Sequence, residues 1–444
     1  MPAPSARRLS PFSSLRGRLR VPGDKSIGHR VLLLALLARG RSRVRGLAFG
    51  DDVGRTRAAA LALGLRCEGN SGELVLEGPG WEGLARSPTA SPLQLDCGNS
   101  GTTARLLLGL LAGRPGAACL SGDASLSRRP MGRVLRPLQR LGAVFAGGET
   151  LPLRVDGRPL VGSALRTEVP SAQVKSALLL AGLQAEGTTT VHEARRSRDH
   201  TERLLRAMGA PLVAEADGLG WRVVGGCPRL DPFDLTVPGD PSSAAYAVAL
   251  ACLLPESELV VEGLSLNPTR LGFYRLLRRM GGAVEWTLEA EEPEPVGTLR
   301  ARSSSLEAVS VDGEEVVSAI DELPLLAVVA GAARGTTVIR GAAELRHKES
   351  DRIAAASRLL AAAGVEHEVH PDGLSVQGGR EFLAAEYDAS GDHRIAMCAT
   401  VAAALAPRPS ALRGAEWVRV SYPRFFADLA ALSSKGTHEE GAAS

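Results

Sequence analysis

The chain has 444 residues, 44% of them hydrophobic and 23% charged, which fits a water-soluble globular protein of two to three domains. A formal charge of +3 and an aromatic content of 4% speak against nucleic-acid binding, which needs a basic face or stacking rings. Purely apolar runs such as residues 31–38 are far too short to span a bilayer.

In chain order, an Arg- and Ser-rich start without acids, MPAPSARRLSPFSSLRGRLR, has the composition of a targeting-peptide fragment. Its end already reads as a first strand, and the protein reads as cytoplasmic. VPGDKSIGHR (21–30) then opens an apolar helix, RVLLLALLARG. Five more small-residue helices follow: TTARLLLGLLAG, QVKSALLLAGLQAEG, SSAAYAVALACL, DELPLLAVVAGAARG and HRIAMCATVAAALA. All are apolar nearly all round, the mark of buried helices. Short β-rich runs such as TTTVHE and TTVIRG come after them. Amphipathic helices lie between and stop at Gly64, Gly142, Gly209, Gly281 and Gly364, where a left-handed residue ends the last turn. The sixth copy begins near SYPRFFADLAAL and runs into the tail.

VPGDKSIGHRVLLLALL at 21–37 returns as VPGDPSSAAYAVALACLL at 237–254. Two homologous halves follow, each of three units built as strand, buried helix, strand, amphipathic helix and further strands. The expected fold is α/β, with helices buried inside sheets. The expected domains are 1–22 plus 241–444 and 23–240, with hinges near 21–24 and 237–241.

Six cysteines without C-x-x-C spacing read as reduced core residues. Of 52 Lys plus Arg, only Lys25, Lys175, Lys348 and Lys435 are lysines. Where Arg serves almost everywhere, a retained lysine marks a need for a compact ammonium. Polar and charged residues gather where the buried helices begin. Asp24-Lys25-Ser26 with Arg30, Asn99 to Thr103 with Arg105, Ser171-Ala172-Gln173 with Lys175, Asp321-Glu322, and Asp392-His393-Arg394 all sit there. Asp240, Ser242 and Ser243 read as caps only. Helix N-termini offer free N–H groups and the positive dipole end, so converging ones form an anion trap. SRRPM, SRDHTE and RHKESDR open the amphipathic helices. On a helix Lys348 and Arg352 are i, i+4 and share a face beside Glu349, a setting suited to proton transfer onto an anionic substrate.

With these motifs in place, the chain resembles the 5-enolpyruvylshikimate-3-phosphate synthase family over essentially its whole length. VPGDKSIGHR, LDCGNSGTTARLL, SRRPM, PSAQVKSALLLAG, SRDHTERLL, VPGDPSSAAY, IDELPLLAV, HKESDRI, GDHRIAM and SYPRFF stand in the family order. The resemblance implies two similar domains of three βαβαββ units, an inside-out α/β barrel of the enolpyruvyl transferase type. It implies transfer of the enolpyruvyl group of phosphoenolpyruvate to the 5-hydroxyl of shikimate 3-phosphate. Neither metal nor cofactor is implied, and no nucleic-acid or membrane partner; a monomer is expected.

By the same resemblance Lys25 touches both substrates. Ser26, Arg30, Ser171, Ala172, Gln173 and Arg198 hold shikimate 3-phosphate. Arg129, Arg352 and Arg394 hold phosphoenolpyruvate, with Asn99, Gly101 and Thr102 lining its site. Asp321, helped by Lys348, takes the hydroxyl proton, Glu349 protonates the methylene carbon, and His393 lies close by. Two departures stand out. Ala172 replaces a second serine, and Val420 replaces a late lysine, with Arg419 and Arg424 as candidate substitutes. GDKS, SAQ before Lys175, RDHTE and NPTR resemble a glyphosate-tolerant subclass, whereas Gly101 keeps a glycine that some tolerant members replace by alanine. The sister transferase acting on UDP-N-acetylglucosamine fits less well. It has Lys-Asn where this chain has Lys25-Ser26, and a cysteine in the loop that here reads GDASLSRRP.

Overall fold

A computed structural model describes residues 6–70, 72–84 and 91–435. The chain forms two compact units. Unit 1 comprises residues 1–21, 240–289 and 296–444, and unit 2 comprises 22–239 and 290–295. Each has its own apolar core.

Among the described residues, twelve helices of eight residues or more alternate in character. In unit 2 these are α1 (Lys25–Leu37), α2 (Asp51–Ala62), α3 (Gly101–Ala112), α4 (Gly132–Arg140), α5 (Ala172–Gly182) and α6 (His200–Ala207). Unit 1 has α7 (Pro241–Leu253), α8 (Gly272–Arg279), α9 (Leu323–Ala332), α10 (Arg352–Ala362), α11 (His393–Leu405) and α12 (Phe425–Leu432). Odd-numbered helices are buried along almost their whole length because Ala, Leu and Val cover every face. Small residues also let such helices approach closely: a Cβ on Gly109 of α3 would stand 2.1 Å from the Ala177 carbonyl oxygen of α5. Five even-numbered helices end at the expected glycines, with φ of +107° at Gly64, +100° at Gly142, +77° at Gly209, +93° at Gly281 and +73° at Gly364. No helix among the described residues is long and apolar enough to cross a membrane.

The sheets repeat one plan. In Leu93–Asp96, Gly116–Ser121, Leu153–Gly157 and Val144–Ala146, the first pair is parallel and the next two antiparallel. Ala164–Arg166 and Ser310–Val311 start sheets of the same plan. The two chain halves exchange their leading strands. Phe12–Leu19 precedes α1 yet pairs in parallel with Glu258–Ser265, which follows α7. Asp234–Thr236 precedes α7 yet pairs in parallel with Arg39–Arg45, which follows α1. Ahead of SYPRFFADLAAL, strand Ser410–Arg413 takes Arg7–Leu9 from the chain start as antiparallel partner. Ser433–Lys435 then pairs with Phe12–Leu19.

Residues 290–295 group with unit 2, an excursion that the repeat pattern does not contain. Within this segment Glu294 Oε1 lies 2.8 Å from His200 Nδ1, with both side chains fully inaccessible.

Candidate functional site

In unit 2 the predicted residues collect at the N-termini of α1, α3 and α5. Asp24 caps α1 by accepting from Ser26 N at 2.7 Å and Ile27 N at 3.4 Å. This leaves Lys25 and Ser26 on its first turn. Lys25 Nζ lies 3.0 Å from Asp52 Oδ2 in α2, and both side chains are mostly buried. Arg30 points back along α1 and stitches it to its neighbours. Its Nε donates to Thr201 Oγ1 (2.6 Å), Nη1 to Ser26 O (2.8 Å) and Nη2 to Ser176 Oγ (2.8 Å). Burial lowers its guanidinium to about 10, partly opposed by Glu202 and Asp24.

Ser100 caps α3 at Thr103 N, 3.2 Å away. Asn99 donates to Asp123 Oδ2 at 2.7 Å and accepts from Arg129 Nη2. Gln173, on the first turn of α5, spans to α3: its Nε2 donates to Thr102 Oγ1 at 2.9 Å, and its Oε1 accepts from Arg105 Nη1 at 2.8 Å. Ser171 caps α5, its Oγ accepting from Val174 N at 3.4 Å. Ala172 begins the helix, and its carbonyl accepts from Ser176 Oγ at 2.5 Å. Arg198 lies in the turn before α6. Gly101 faces two cations, because a Cβ there would stand 2.7 Å from Arg105 Nη1 and 3.4 Å from Arg129 Nη1.

Unit 1 gathers the second set. Asp321 Oδ1 lies 3.3 Å from Lys348 Nζ and 3.2 Å from Arg352 Nη1, and Oδ2 lies 3.7 Å from Arg394 Nη2. Arg352 also reaches Glu349 Oε2 at 2.6 Å and Asp392 Oδ2 at 2.8 Å, with its side chain 1% exposed. Burial alone would weaken this guanidinium's hold on its proton; Asp392, Glu349 and Asp321 outweigh burial and raise it above the usual arginine value. Burial would likewise raise the Asp392 carboxyl, yet the Arg352 charge holds it below the usual carboxylate range. Asp392 caps α11 at Arg394 N, 2.9 Å away, and buried His393 follows it.

One expectation needs correcting. Lys348, Glu349 and Arg352 do not share a helix face. Asp351 is the N-cap of α10, accepting from Ile353 N at 3.1 Å and Ala354 N at 3.0 Å, so Lys348 and Glu349 precede the helix. They converge through Asp321 and the Arg352 guanidinium instead. Asp240 is also more than a cap. It pairs with Arg270 at 2.6 Å, and Ser242 donates to Glu322, which Arg394 Nη1 reaches at 3.3 Å. Arg424, one candidate for the late lysine's role, is held by Asp428 at 3.0 Å.

Sequence reasoning passed over Asp52, Glu193 and Arg270 as site components. An acid in the first turn of α2 was the available signal for Asp52, since the other amphipathic helices open on charged clusters.

His29 gives a pH signature. Its Nδ1 lies 2.6 Å from Thr56 Oγ1, which lies 2.6 Å from Thr103 Oγ1, tying α1 through α2 to α3. Burial lowers the imidazole to about 3, with Lys25 and Arg30 adding to this and Asp52 opposing it. The unfolded chain therefore binds the proton first, near 6.5. Stability rises with pH across this window and is lost as pH falls from about 6.5 toward 3, by on the order of 5 kcal/mol. In urea unfolding, His29→Gln is expected to flatten stability against pH between about 4 and 6. An unchanged slope would rule this origin out.

The EPSP synthase (3-phosphoshikimate 1-carboxyvinyltransferase) family model matches residues 9–429. The chain is 47% identical over 430 residues to the 3-phosphoshikimate 1-carboxyvinyltransferase of Synechococcus sp. strain JA-3-3Ab, covering 96% of each chain. It is 48% identical over 439 residues to an enzyme of that name from Thermus thermophilus, covering 96% of this chain and 99% of the other. Among solved structures, an EPSP synthase from Acinetobacter baumannii superposes with a TM-score of 0.84 at 36% identity, covering 96% and 98% of the two chains. The enolpyruvyl transferase NikO from Streptomyces tendae shares the fold, with a TM-score of 0.77 at 20% identity over 97% and 98% of the chains. Sequence and fold agree, and the chain belongs to the EPSP synthase family.

Proposed function

We propose that this protein transfers the enolpyruvyl group of phosphoenolpyruvate to the 5-hydroxyl of shikimate 3-phosphate and releases phosphate. The observation that carries the reading is the Asp321 cluster, which holds two carboxylates, Asp321 and Glu349, on one buried guanidinium. Addition needs one base and one acid close to a cationic grip on an anionic substrate. Asp321 takes the proton of the attacking hydroxyl as the new C–O bond forms at C2 of phosphoenolpyruvate, with Lys348 stabilising the carboxylate. Glu349 delivers a proton to C3, giving a tetrahedral intermediate. In the elimination the C2–O bond to phosphate breaks and a methyl proton returns to Glu349. The hydroxyl proton leaves with phosphate.

The binding roles are those that the family resemblance implies. Lys25 serves both substrates. Ser26, Arg30, Ser171, Gln173 and Arg198 hold shikimate 3-phosphate, where Ala172 offers no hydroxyl. Arg129, Arg352 and Arg394 hold phosphoenolpyruvate, with Asn99, Gly101, Thr102 and His393 beside it. The enzyme works as a cytoplasmic monomer, which light scattering at micromolar concentration checks.

The deciding experiment is phosphate release from phosphoenolpyruvate, with and without shikimate 3-phosphate. Release only with both present is expected, and no release would overturn the reading. Gly101→Ala is a second test. Its methyl would press on Arg105 and Arg129, at 2.7 and 3.4 Å. The KM for phosphoenolpyruvate is expected to rise about tenfold, because a small displacement of positioning cations is costly. Steady-state kinetics at saturating shikimate 3-phosphate reads this out.

A further inference from the structure

A buried ion cluster lies behind the groups that hold shikimate 3-phosphate, and the chemistry above does not use it. Lys175, in the second turn of α5, is 1% exposed, with Nζ 2.7 Å from Glu193 Oε2 and 2.8 Å from Glu202 Oε1. Both carboxylates are equally buried. Burial would strip the lysine of its proton, but the Glu202 and Glu193 charges outweigh it and hold the ammonium above its usual range. Such a cluster is a poor device for stability alone, since apolar side chains of similar volume often replace buried ion pairs at no loss.

What the cluster touches is more telling. Glu193 Oε1 accepts from Ser171 N at 3.2 Å, the cap of α5. Glu193 Oε2 accepts from Ser197 Oγ at 2.9 Å and Ser197 N at 3.4 Å, next to Arg198. One carboxylate thus ties the start of α5 to the turn before α6, and Lys175 fixes its rotation. Glu202 anchors the first turn of α6. There Thr201 Oγ1 accepts from Arg30 Nε at 2.6 Å and meets Ser176 Oγ at 2.6 Å. Ser171 thus bonds directly to a carboxylate that Lys175 holds, Arg198 follows Ser197, whose carbonyl accepts from Lys175 Nζ at 3.4 Å, and Arg30 bonds Thr201, the residue before Glu202. Arg129, assigned to phosphoenolpyruvate, is set differently, by Asn99 and Ser125.

We infer that Lys175 is a positioning residue for shikimate 3-phosphate, acting through Glu193 and Glu202 on Ser171, Arg198 and Arg30. The inference rests on the substrate assignment proposed above. Lys175→Met is expected to raise the KM for shikimate 3-phosphate about tenfold, the loss of one charge-assisted contact. The KM for phosphoenolpyruvate should change by less than about twofold. Ser197→Ala is the milder variant: it leaves Lys175 in place and removes one bond to Glu193. It should raise the same KM about threefold with little change in melting temperature. Arg198→Ala is the reference and should raise it as well. Equal rises in both KM values, or a lower melting temperature with an unchanged KM for shikimate 3-phosphate, would overturn the positioning role. If Lys175→Met does not fold, Ser197→Ala decides, and an unchanged KM there overturns it too. If Arg198→Ala also leaves that KM unchanged, the substrate assignment itself fails and the inference falls with it.

Discussion

Replacing Glu349 by Gln is expected to lower kcat by about 10²–10⁴-fold, the usual contribution of a positioned acid or base, while both KM values move only a few-fold. Gln preserves the side chain's volume and can still accept from Arg352 Nη2, now at 2.6 Å from Glu349 Oε2. It cannot deliver a proton to carbon. Arg352 is itself fixed by Asp392 at 2.8 Å and reaches Asp321 at 3.2 Å, so the cation stays where it is when Glu349 changes. The effect should therefore fall on the proton step and not on binding. Two readouts separate these. Steady-state kinetics should show the kcat loss, and in heavy water the variant should no longer exchange deuterium into the methylene carbon of phosphoenolpyruvate. A variant that keeps more than about a tenth of wild-type kcat would remove Glu349 from the role of general acid.

Part of this was open to a reader of the sequence, and the reasons differ by residue. Buried helices announce themselves because Ala and Leu cover every face of α7 and α9, and the glycines that end α2, α4, α6, α8 and α10 sit at positive φ. These are local properties. Exchange of the leading strands is not local: Phe12–Leu19 and Glu258–Ser265 are far apart in sequence, and nothing in either run names its partner. The same holds for Arg7–Leu9 beside Ser410–Arg413. At the site, the helix N-termini were legible through their caps, whereas the partners of the charged groups were not. Asp52 lies 27 residues from Lys25, and Glu322 lies 80 from Ser242. The misplaced helix at Lys348 shows the limit of spacing arguments. An i, i+4 rule presupposes a helix, and Asp351, a strong cap before Arg352, starts it later.

Lys25→Arg is expected to cut kcat/KM by about 10²–10³-fold, as large as the loss of an oxyanion-type donor, although the charge is kept. The reason lies in its partner. Lys25 Nζ meets a single oxygen of Asp52 at 3.0 Å, and the two side chains are only 18% and 12% exposed. A point charge on a flexible stem can leave one carboxylate oxygen and turn to a substrate anion. A guanidinium in the same space would bind both oxygens of Asp52 as a fork and stay there. It is also longer and planar, at the first residue of α1, where Asp24 already caps the helix. Pre-steady-state and steady-state kinetics with each substrate varied should show both KM values rising, since Lys25 is assigned to both. Asp52→Asn in the Lys25→Arg background should restore part of the loss by freeing the guanidinium, which a purely steric clash would not allow. The scarcity of lysine bears on the same point: with 52 Lys plus Arg and only four lysines, Arg has been acceptable at nearly every cationic position in this chain. Near-wild-type activity in Lys25→Arg would mean that position 25 was no exception.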